Sequence, residues 1–187
     1  MRIVFVGGVH GSGKTTLSRR LAECLSATHV TAGSLIREAA GSDTVTIGRD
    51  SKAVRDMNAN QTLLLQGLTA YKNRYNTNIL LDGHFSLLQP DGQVIEIPLA
   101  VYRTIAPAAV VLVQANPHVV YERLVQRDGT APPLATLLLL LEREYTNARS
   151  VCVALSVPFL TTQSEGDPEG VVQALASRLS PILGDAA

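Results

Sequence analysis

Several residue types are scarce in this chain of 187 residues. Tryptophan is absent, cysteine occurs twice, and aromatic residues make up 4% of the sequence. Cys24 lies in a helical pattern and Cys152 in a distant apolar stretch. Neither has metal-ligand spacing nearby, so both are interpreted as buried thiols. The scarcity of aromatic residues means that any stacking on a nucleotide base has to use one of the five tyrosines or three phenylalanines.

An excess of charge of either sign is also lacking, because the formal net charge at pH 7 is zero. This excludes a general electrostatic attraction to nucleic acid or acidic lipid, so any basic site has to be local. The only pure leucine run, Leu137–Leu141, ends at Glu142-Arg143-Glu144 and is far too short to span a membrane. Since the chain begins with a strand pattern instead of a signal peptide, we expect a soluble, cytoplasmic protein.

The most informative segment is a glycine loop near the amino end. Gly8–Thr15 reads Gly-Val-His-Gly-Ser-Gly-Lys-Thr and fits G-x-x-x-x-G-K-[ST] in full, between an apolar run and a helical pattern. Such a loop turns backbone N–H groups toward a polyphosphate, while its lysine neutralises the β and γ phosphates and its hydroxyl ligates Mg²⁺. The sequence therefore predicts Mg²⁺ as cofactor with Thr15 as a ligand, and an ATP site formed by Gly8, Gly11, Ser12, Gly13, Lys14, Thr15 and Thr16.

Apolar runs alternate with helical patterns along the rest of the chain, which is typical of a parallel sheet covered on both faces. No repeat or linker divides the sequence, and its length suits one domain. We expect a single α/β domain over residues 1–187, with a central five-stranded parallel sheet between helical layers. Strands are predicted at Ile3–Val6, His29–Thr31, Ile79–Leu81, Val110–Val113 and Pro158–Leu160, and helices at Lys14–Leu25, Ser34–Ala40, Asp50–Tyr71, Pro98–Thr104, Pro117–Gln126, Pro133–Leu155 and Glu169–Leu183.

Two candidate catalytic side chains follow the third predicted strand. Asp82 stands at its carboxyl end, where parallel strands place functional loops, and a buried carboxylate there is tolerable if it holds the water shell of Mg²⁺. Its alternative role is to cap a loop. A neutral His84 beside it could orient an attacking water or an acceptor, or could instead form a hydrogen bond within an acceptor pocket.

Two arginines follow the fourth predicted strand. Arg123 and Arg127 are four residues apart and therefore project from one helix face. Guanidinium groups around a migrating phosphoryl group supply much of the electrostatic stabilisation that phosphoryl transfer needs. The pair is typical of a kinase site, although taken without context it also fits an exposed, charged helix end.

The ordered set of motifs resembles the nucleoside monophosphate kinases, and most of all the archaeal type of adenylate kinase. The likeness rests on Gly8–Thr16, Ala32–Arg37, Leu81–His84 and Glu122-Arg123-Leu124 with Arg127. The spacing of Asp82-Gly83-His84, Pro90-Asp91-Gly92 and Pro98 also matches that group's Asp-Thr-His, Pro-x-Gly and Pro. Glu142–Arg149 is similar to its Glu-Gln-His-x-x-x-Asn-Arg helix, with Asn147 displaced by one place. The resemblance covers nearly the whole chain.

The resemblance implies a P-loop kinase fold with ATP and a nucleoside monophosphate as partners. It also implies an acceptor-binding segment at about residues 32–75 and a lid at about 127–133, whose closure would exclude water. Arg37 and Arg55 are expected to grip the acceptor phosphate, Arg123 to contact the donor, and Arg127 and Arg149 to contact the transferred group. The implied catalytic set is Lys14, Asp82, His84, Arg127 and Arg149, and the implied acceptor set is Gly33, Ser34, Arg37, Arg55, His84 and Gly92.

The leading hypothesis is transfer of the γ-phosphoryl group of ATP to AMP, whose anionic oxygen needs no strong base. Two alternatives stay open. One is a kinase of another small acceptor, for which Asp82 or His84 could serve as base to a hydroxyl group. The other is an ATPase switch or assembly factor that hydrolyses ATP slowly. No membrane partner is expected, a nucleic-acid partner is disfavoured by the neutral charge, and the sequence does not indicate an oligomeric state.

Overall fold

The computed structural model describes residues 1–41 and 57–184, apart from the side chains of residues 57 and 58. Arg55 and the first part of the helix predicted at Asp50–Tyr71 lie outside the described residues. The strands are β1 Ile3–Gly7, β2 Thr28–Thr31, β3 Ile79–Asp82, β4 Ser86–Leu88, β5 Val94–Glu96, β6 Ala109–Gln114 and β7 Phe159–Gln163. The helices are α1 Lys14–Cys24, α2 Ala32–Ala39, α3 Met57–Arg74, α4 Leu99–Ile105, α5 Pro117–Asp128, α6 Leu134–Leu155 and α7 Pro168–Leu183.

Five of the strands form one parallel sheet in the order β2-β3-β1-β6-β7. Strand β1 lies at the centre, with Val6 in register with Asp82 on one side and with Val111 on the other. The carboxyl ends of these strands therefore meet at one edge of the sheet, directly beside the glycine loop. This confirms the predicted α/β architecture with a five-stranded parallel sheet.

Side chains alternate along β1 and build a core on each face of the sheet. Phe5 packs in the cluster that contains residues of α2, α3, α4 and α6, whereas Val4 and Val6 pack against α1 and α7. Both faces are therefore covered by helices, and the strands are buried throughout the centre of the sheet. This rigid base holds the loops at the sheet edge in place.

A short antiparallel hairpin, β4 with β5, was not predicted from the sequence. Its two strands have three residues each, and Gly92 turns the chain between them with a φ of 86°. Strands this short carry too little periodicity to be detected. Their position depends on support from α6, a contact that sequence patterns do not report.

The two cysteines differ in exposure. Cys152 is buried as expected, but Cys24 is exposed, so the interpretation of Cys24 as a buried thiol is wrong. The buried stripe of α1 runs through Leu17, Leu21 and Ala22, and Cys24, the last residue of the helix, lies off that stripe. Helical position, not residue type, decides its exposure.

Helix α6 contains the leucine run and extends over 22 residues. Charged residues directly follow the run, and Leu138 and Leu139 are partly exposed on the helix surface. Within residues 1–41 and 57–184, none of the helices is long and apolar enough to cross a membrane.

Candidate active site

The glycine loop joins β1 to α1 with a backbone that only glycine adopts easily. Gly8, Gly11 and Gly13 have φ values of 145°, 82° and 84°. A Cβ atom on Gly8 would lie 2.6 Å from the carbonyl oxygen of Val113, so no side chain fits there. Gly13 is the N-cap of α1, whose first N–H groups are free to meet an anion. The loop thus has the form that a phosphate cradle requires.

Lys14, Thr15 and Asp82 form a compact polar cluster at the start of α1. The Nζ atom of Lys14 lies 2.5 Å from Oδ1 of Asp82, and the Thr15 hydroxyl donates to Oδ2 at 2.7 Å. Lys14 and Asp82 are 7% and 4% exposed, so the pair is largely removed from water. The register of β1 with β3 creates this contact, because it places Asp82 beside Val6, just before the loop.

Asp82 is held as an ionised carboxylate. Burial alone would raise its pKa, but hydrogen bonds from His29, Lys14 and Thr15, together with the charge of Lys14, lower the pKa to about 2. His29 on β2 contacts Oδ2 at 3.5 Å. This contact could not be predicted from the sequence, since nothing in the pattern around His29 shows that β2 pairs with β3.

The oxygen atoms of this cluster fit a magnesium site of the kind that phosphate-binding loops use. Mg²⁺ is commonly bound through one or two protein oxygens, with phosphate oxygens and water completing the shell. Thr15 Oγ1 and Asp82 Oδ2 lie side by side and supply such oxygens. In the part of the chain that the structure describes, no group of three or more His, Cys, Asp or Glu residues could hold a metal ion.

Two cavities meet at the cluster. The first, of about 500 Å³, lies between the glycine loop, α5 and the segment after β7. The second, of about 590 Å³, lies between α2, α3, α4 and the Asp82–His84 segment. His10, Lys14 and Thr15 line both cavities. Of the predicted ATP-site residues, Gly11, Gly13, Lys14, Thr15, Thr16 and Arg123 line the first cavity, while Gly8 and Ser12 are buried beneath it.

The two arginines of α5 face the first cavity, as their spacing suggested. Arg123 donates to the carbonyl oxygen of Gly11 at 3.1 Å and to the Ser164 hydroxyl at 3.0 Å. Arg127 is more exposed and pairs with Asp128, its neighbour in the chain, at 2.6 Å. Arg123 is therefore already ordered against the loop, whereas Arg127 lies at the rim where α5 ends.

The predicted acceptor residues that the structure describes are divided between the second cavity, the start of α2 and the exposed surface. Arg37 and Arg149 are exposed, and neither lines either cavity. Ser34 donates its backbone N–H to the hydroxyl of Thr31, the N-cap of α2, and its own hydroxyl to the Thr31 carbonyl oxygen. Gly92 lies in the exposed β4–β5 turn, whereas Gly33 lines the second cavity. Among residues 1–41 and 57–184, no arginine lines the second cavity, and Lys14 is its sole lysine.

The walls of the second cavity are mostly apolar, and two histidines, His10 and His84, also line it. The ring of His84 lies 4.3 Å from that of His10, centroid to centroid. Burial, with the nearby charge of Lys14 and the presence of His10, lowers the pKa of His84 well below its usual value, so this ring is neutral at pH 7. Within residues 1–41 and 57–184, the buried Nε2 atoms of His84 and of Gln61 have no hydrogen-bond partner. Both residues line the cavity and are available to a bound molecule.

Sequence reasoning missed two buried polar residues of α6. Glu144 is 2% exposed and accepts hydrogen bonds from the backbone N–H groups of Gly8, Phe85 and Ser86. Asn147 donates to the carbonyl oxygens of Phe85 and Ile97. Both lie on the apolar stripe of the helix, and a charged residue on such a stripe is the signal that could have drawn attention to them. The buried residues of this stripe are Leu137, Leu140, Glu144, Asn147, Ala148, Val151 and Cys152.

Comparison with protein families places most of the chain in a known group. Residues 7–135, more than half of the sequence, match a family described as AAA domain. A search of curated proteins found no match.

Several solved structures share the fold over nearly the full length. A shikimate kinase from Acinetobacter baumannii, in complex with shikimate, has a TM-score of 0.65 at 20% identity and covers 96% of this chain and 93% of its own. A shikimate kinase from Bacteroides thetaiotaomicron has a TM-score of 0.62 at 16% identity, covering 95% and 98%. A gluconokinase from Sinorhizobium meliloti 1021 has a TM-score of 0.56 at 18% identity, covering 96% and 94%. At these identities the similarity shows a P-loop kinase fold, and it does not single out the archaeal type of adenylate kinase.

Proposed function

Because this chain belongs to the AAA domain family that its residues 7–135 match, and has a P-loop kinase fold, we propose that it is a kinase. It transfers the γ-phosphoryl group of ATP, bound with Mg²⁺ in the first cavity, to a small molecule in the second. The observation that carries this proposal is that Lys14 and Thr15 line both cavities. A γ-phosphate held by Lys14 therefore lies next to whatever occupies the second cavity, which is the proximity that direct in-line transfer requires.

AMP is the acceptor to test first. The ordered motifs resemble adenylate kinases, and the apolar walls of the second cavity suit an adenine ring. Gln61 and His84 line this cavity, and their Nε2 atoms make no hydrogen bond to the described part of the chain, so these side chains suit hydrogen bonds to such a ring. In this scheme the segment at about residues 32–75 binds the acceptor, and residues 127–133 form a short lid. Closure of the lid would exclude water, which competes with the acceptor for the γ-phosphoryl group.

An acceptor that bears a hydroxyl group is the second candidate. It is favoured because no arginine lines the described part of the second cavity, so an acceptor phosphate would meet only Lys14 there. A hydroxyl acceptor needs a group to receive its proton, and Asp82 lies at the boundary of the cavity. The structural relatives include a shikimate kinase and a gluconokinase, and shikimate and gluconate are both acids that bear hydroxyl groups.

A panel of acceptors tests both candidates in one assay. ADP formation from Mg²⁺-ATP is measured alone, with AMP, with adenosine, and with hydroxylated acids including shikimate and gluconate. Stimulation by AMP with two ADP formed per ATP supports the first candidate, and a phosphorylated hydroxyl product supports the second. An identical rate with every addition and with none contradicts the kinase proposal and favours an ATPase switch.

Arg37 provides a separate prediction for the AMP hypothesis. If Arg37 binds the acceptor phosphate, Arg37→Ala is expected to raise the KM for AMP about tenfold, the effect of losing one charge-assisted contact, and to leave the KM for ATP unchanged. Arg103→Ala is the matched control, since Arg103 is also exposed and lies outside both cavities. An unchanged KM for AMP in the Arg37 variant removes this residue from the acceptor site.

A further inference from the structure

Glu144 connects two segments that are far apart in the sequence. One oxygen of its carboxylate accepts the N–H of Gly8 at 2.8 Å. The other accepts the N–H groups of Phe85 and Ser86 at 2.9 and 2.6 Å. A carboxylate has no proton to donate when it is ionised, so three N–H donors suit its charged form. The side chain is buried in α6 and makes no ion pair within 4 Å in the described part of the chain.

The two connected segments belong to different cavities. Gly8 opens the glycine loop that lines the first cavity, and its position sets where the following N–H groups point. Phe85 follows His84 directly, and Gly83 and His84 line the second cavity. Asn147, one turn beyond Glu144, donates to the carbonyl oxygen of Phe85 at 2.7 Å. Helix α6 therefore binds both backbone polar groups of Phe85, the N–H through Glu144 and the carbonyl oxygen through Asn147.

We propose that Glu144 is a positioning residue for phosphoryl transfer, which holds the glycine loop and the Asp82–Ser86 segment at a fixed separation. It touches no reacting atom and acts through Gly8, Phe85 and Ser86. The kinetic part of this inference rests on the proposed kinase activity, whereas its effect on nucleotide binding does not. The ionised carboxylate suits this role best, because it accepts all three N–H groups in charge-assisted hydrogen bonds and carries no proton of its own that needs an acceptor.

The environment of Glu144 makes this arrangement sensitive to pH. Burial raises the pKa of the Glu144 carboxyl to about 7, against hydrogen bonds from Phe85, Ser86 and Gly8 and the charge of Lys14, which lower it. Burial, together with the charge of Glu144, raises the pKa of Tyr102 well above its usual value, so the Tyr102 hydroxyl is neutral. His84, which precedes Phe85 in the chain, is also neutral. Arg143, the preceding residue, is half exposed and pairs with Glu96. Glu144 therefore loses its proton between about pH 6 and pH 8.

The sign of the pH effect differs between nucleotide binding and stability. Ionisation completes the three hydrogen bonds, so affinity for Mg²⁺-ADP is expected to rise about tenfold from pH 6 to pH 8, following the ionised fraction. Folding stability changes in the other direction. Because the pKa is raised from 4.5 to about 7, the contribution of this group is fully present below pH 4.5 and is lost as the pH rises to 7. A residue that only stabilised the fold would change the free energy of unfolding with pH and leave the affinity of the folded protein for Mg²⁺-ADP unchanged.

The test compares the natural protein with Glu144→Gln and with Glu142→Gln, a change at an exposed glutamate two residues earlier on the same helix. Affinity for Mg²⁺-ADP is measured by calorimetry from pH 6 to pH 8 in excess Mg²⁺. The amide of Glu144→Gln presents its NH₂ group, itself a donor, to at least one of the three N–H donors, so at least one hydrogen bond is lost. This variant is expected to bind Mg²⁺-ADP about tenfold more weakly at pH 8 and to show no change in affinity from pH 6 to pH 8. The Glu142 variant should match the natural protein.

Unfolding by urea over pH 4.5 to 7 supplies the second readout. The free energy of unfolding is compared between the natural protein and Glu144→Gln at each pH. The difference reports on Glu144 alone, because His10 and His84 are present in both proteins and their contributions cancel. Equal affinity and equal pH dependence in Glu144→Gln would overturn the inference. If Glu144→Gln does not fold, the pH dependence of the natural protein supplies the test. An affinity for Mg²⁺-ADP that does not change between pH 6 and pH 8 would then overturn the inference. Loss of transfer in the acceptor panel, with the affinity effects intact, would instead reject the kinase proposal alone.

Discussion

Replacing Lys14 by alanine is expected to reduce phosphoryl transfer by at least about a hundredfold, the usual effect of removing one preorganised charge at a developing phosphoryl group. Lys14 is the cation shared by both cavities, and in the described residues no second lysine lines either of them. The rate of ADP formation and the affinity for Mg²⁺-ADP measure the effect. Lys72→Ala, at an exposed position of α3, is the control.

The same substitution leaves Asp82 buried without its closest partner. Breaking a buried ion pair from one side costs about 3–5 kcal/mol, so Lys14→Ala should also lower the free energy of unfolding. Adding Asp82→Asn to the variant removes the unpaired charge and should recover part of that loss without recovering activity. A Lys14 variant within threefold of the natural rate would contradict the placement of the γ-phosphate between the two cavities.

Replacing Gly67 by alanine is expected to destabilise the fold by about 2–4 kcal/mol, as overpacking against backbone does. Gly67 lies within α3, and a Cβ atom there would stand 2.3 Å from the carbonyl oxygen of Leu35 in α2. Helix propensity alone predicts the opposite, a gain of about 1 kcal/mol from glycine to alanine. The sign of the change therefore shows whether propensity or helix contact governs this position.

Urea unfolding of Gly67→Ala and of Gln66→Ala makes this comparison. Gln66 is the exposed neighbour on the same helix, and its substitution should change stability by less than about 0.5 kcal/mol. Ile36 and Leu64 place α2 and α3 along the second cavity, so the Gly67 variant should also bind the acceptor identified by the panel more weakly. A stabilised Gly67 variant would mean that the two helices separate without cost.

Local sequence was sufficient for the parts of this molecule whose conformation depends on neighbouring residues. The glycine loop, the helix that follows it and the buried strands were predicted within a few residues, because glycine conformation, helical periodicity and apolar runs act over short distances. The same patterns correctly placed Asp82 at the end of a strand beside the loop. The spacing of Arg123 and Arg127 also predicted that both lie on one face of a helix, although it did not show which cavity that face lines.

Contacts between distant segments could not be predicted in this way. Glu144 meets Gly8 across 136 positions, and His29 meets Asp82 across 53. Arg149 matched a motif but lies on the exposed side of α6, while Glu144 and Asn147 occupy its buried stripe. A helix turns by 100° per residue, so Arg149, two residues after Asn147, lies about 200° around α6 from it and on the exposed side.

The sequence by itself determined that a phosphate-binding loop follows the first strand of a parallel α/β sheet, since short-range backbone preferences encode both features. Only the tertiary structure decided which carboxylate meets Lys14, which arginines reach the cavities, and that a buried glutamate joins the two sides of the site. Those contacts depend on strand order and helix rotation, which arise when the whole chain packs and which no local pattern contains.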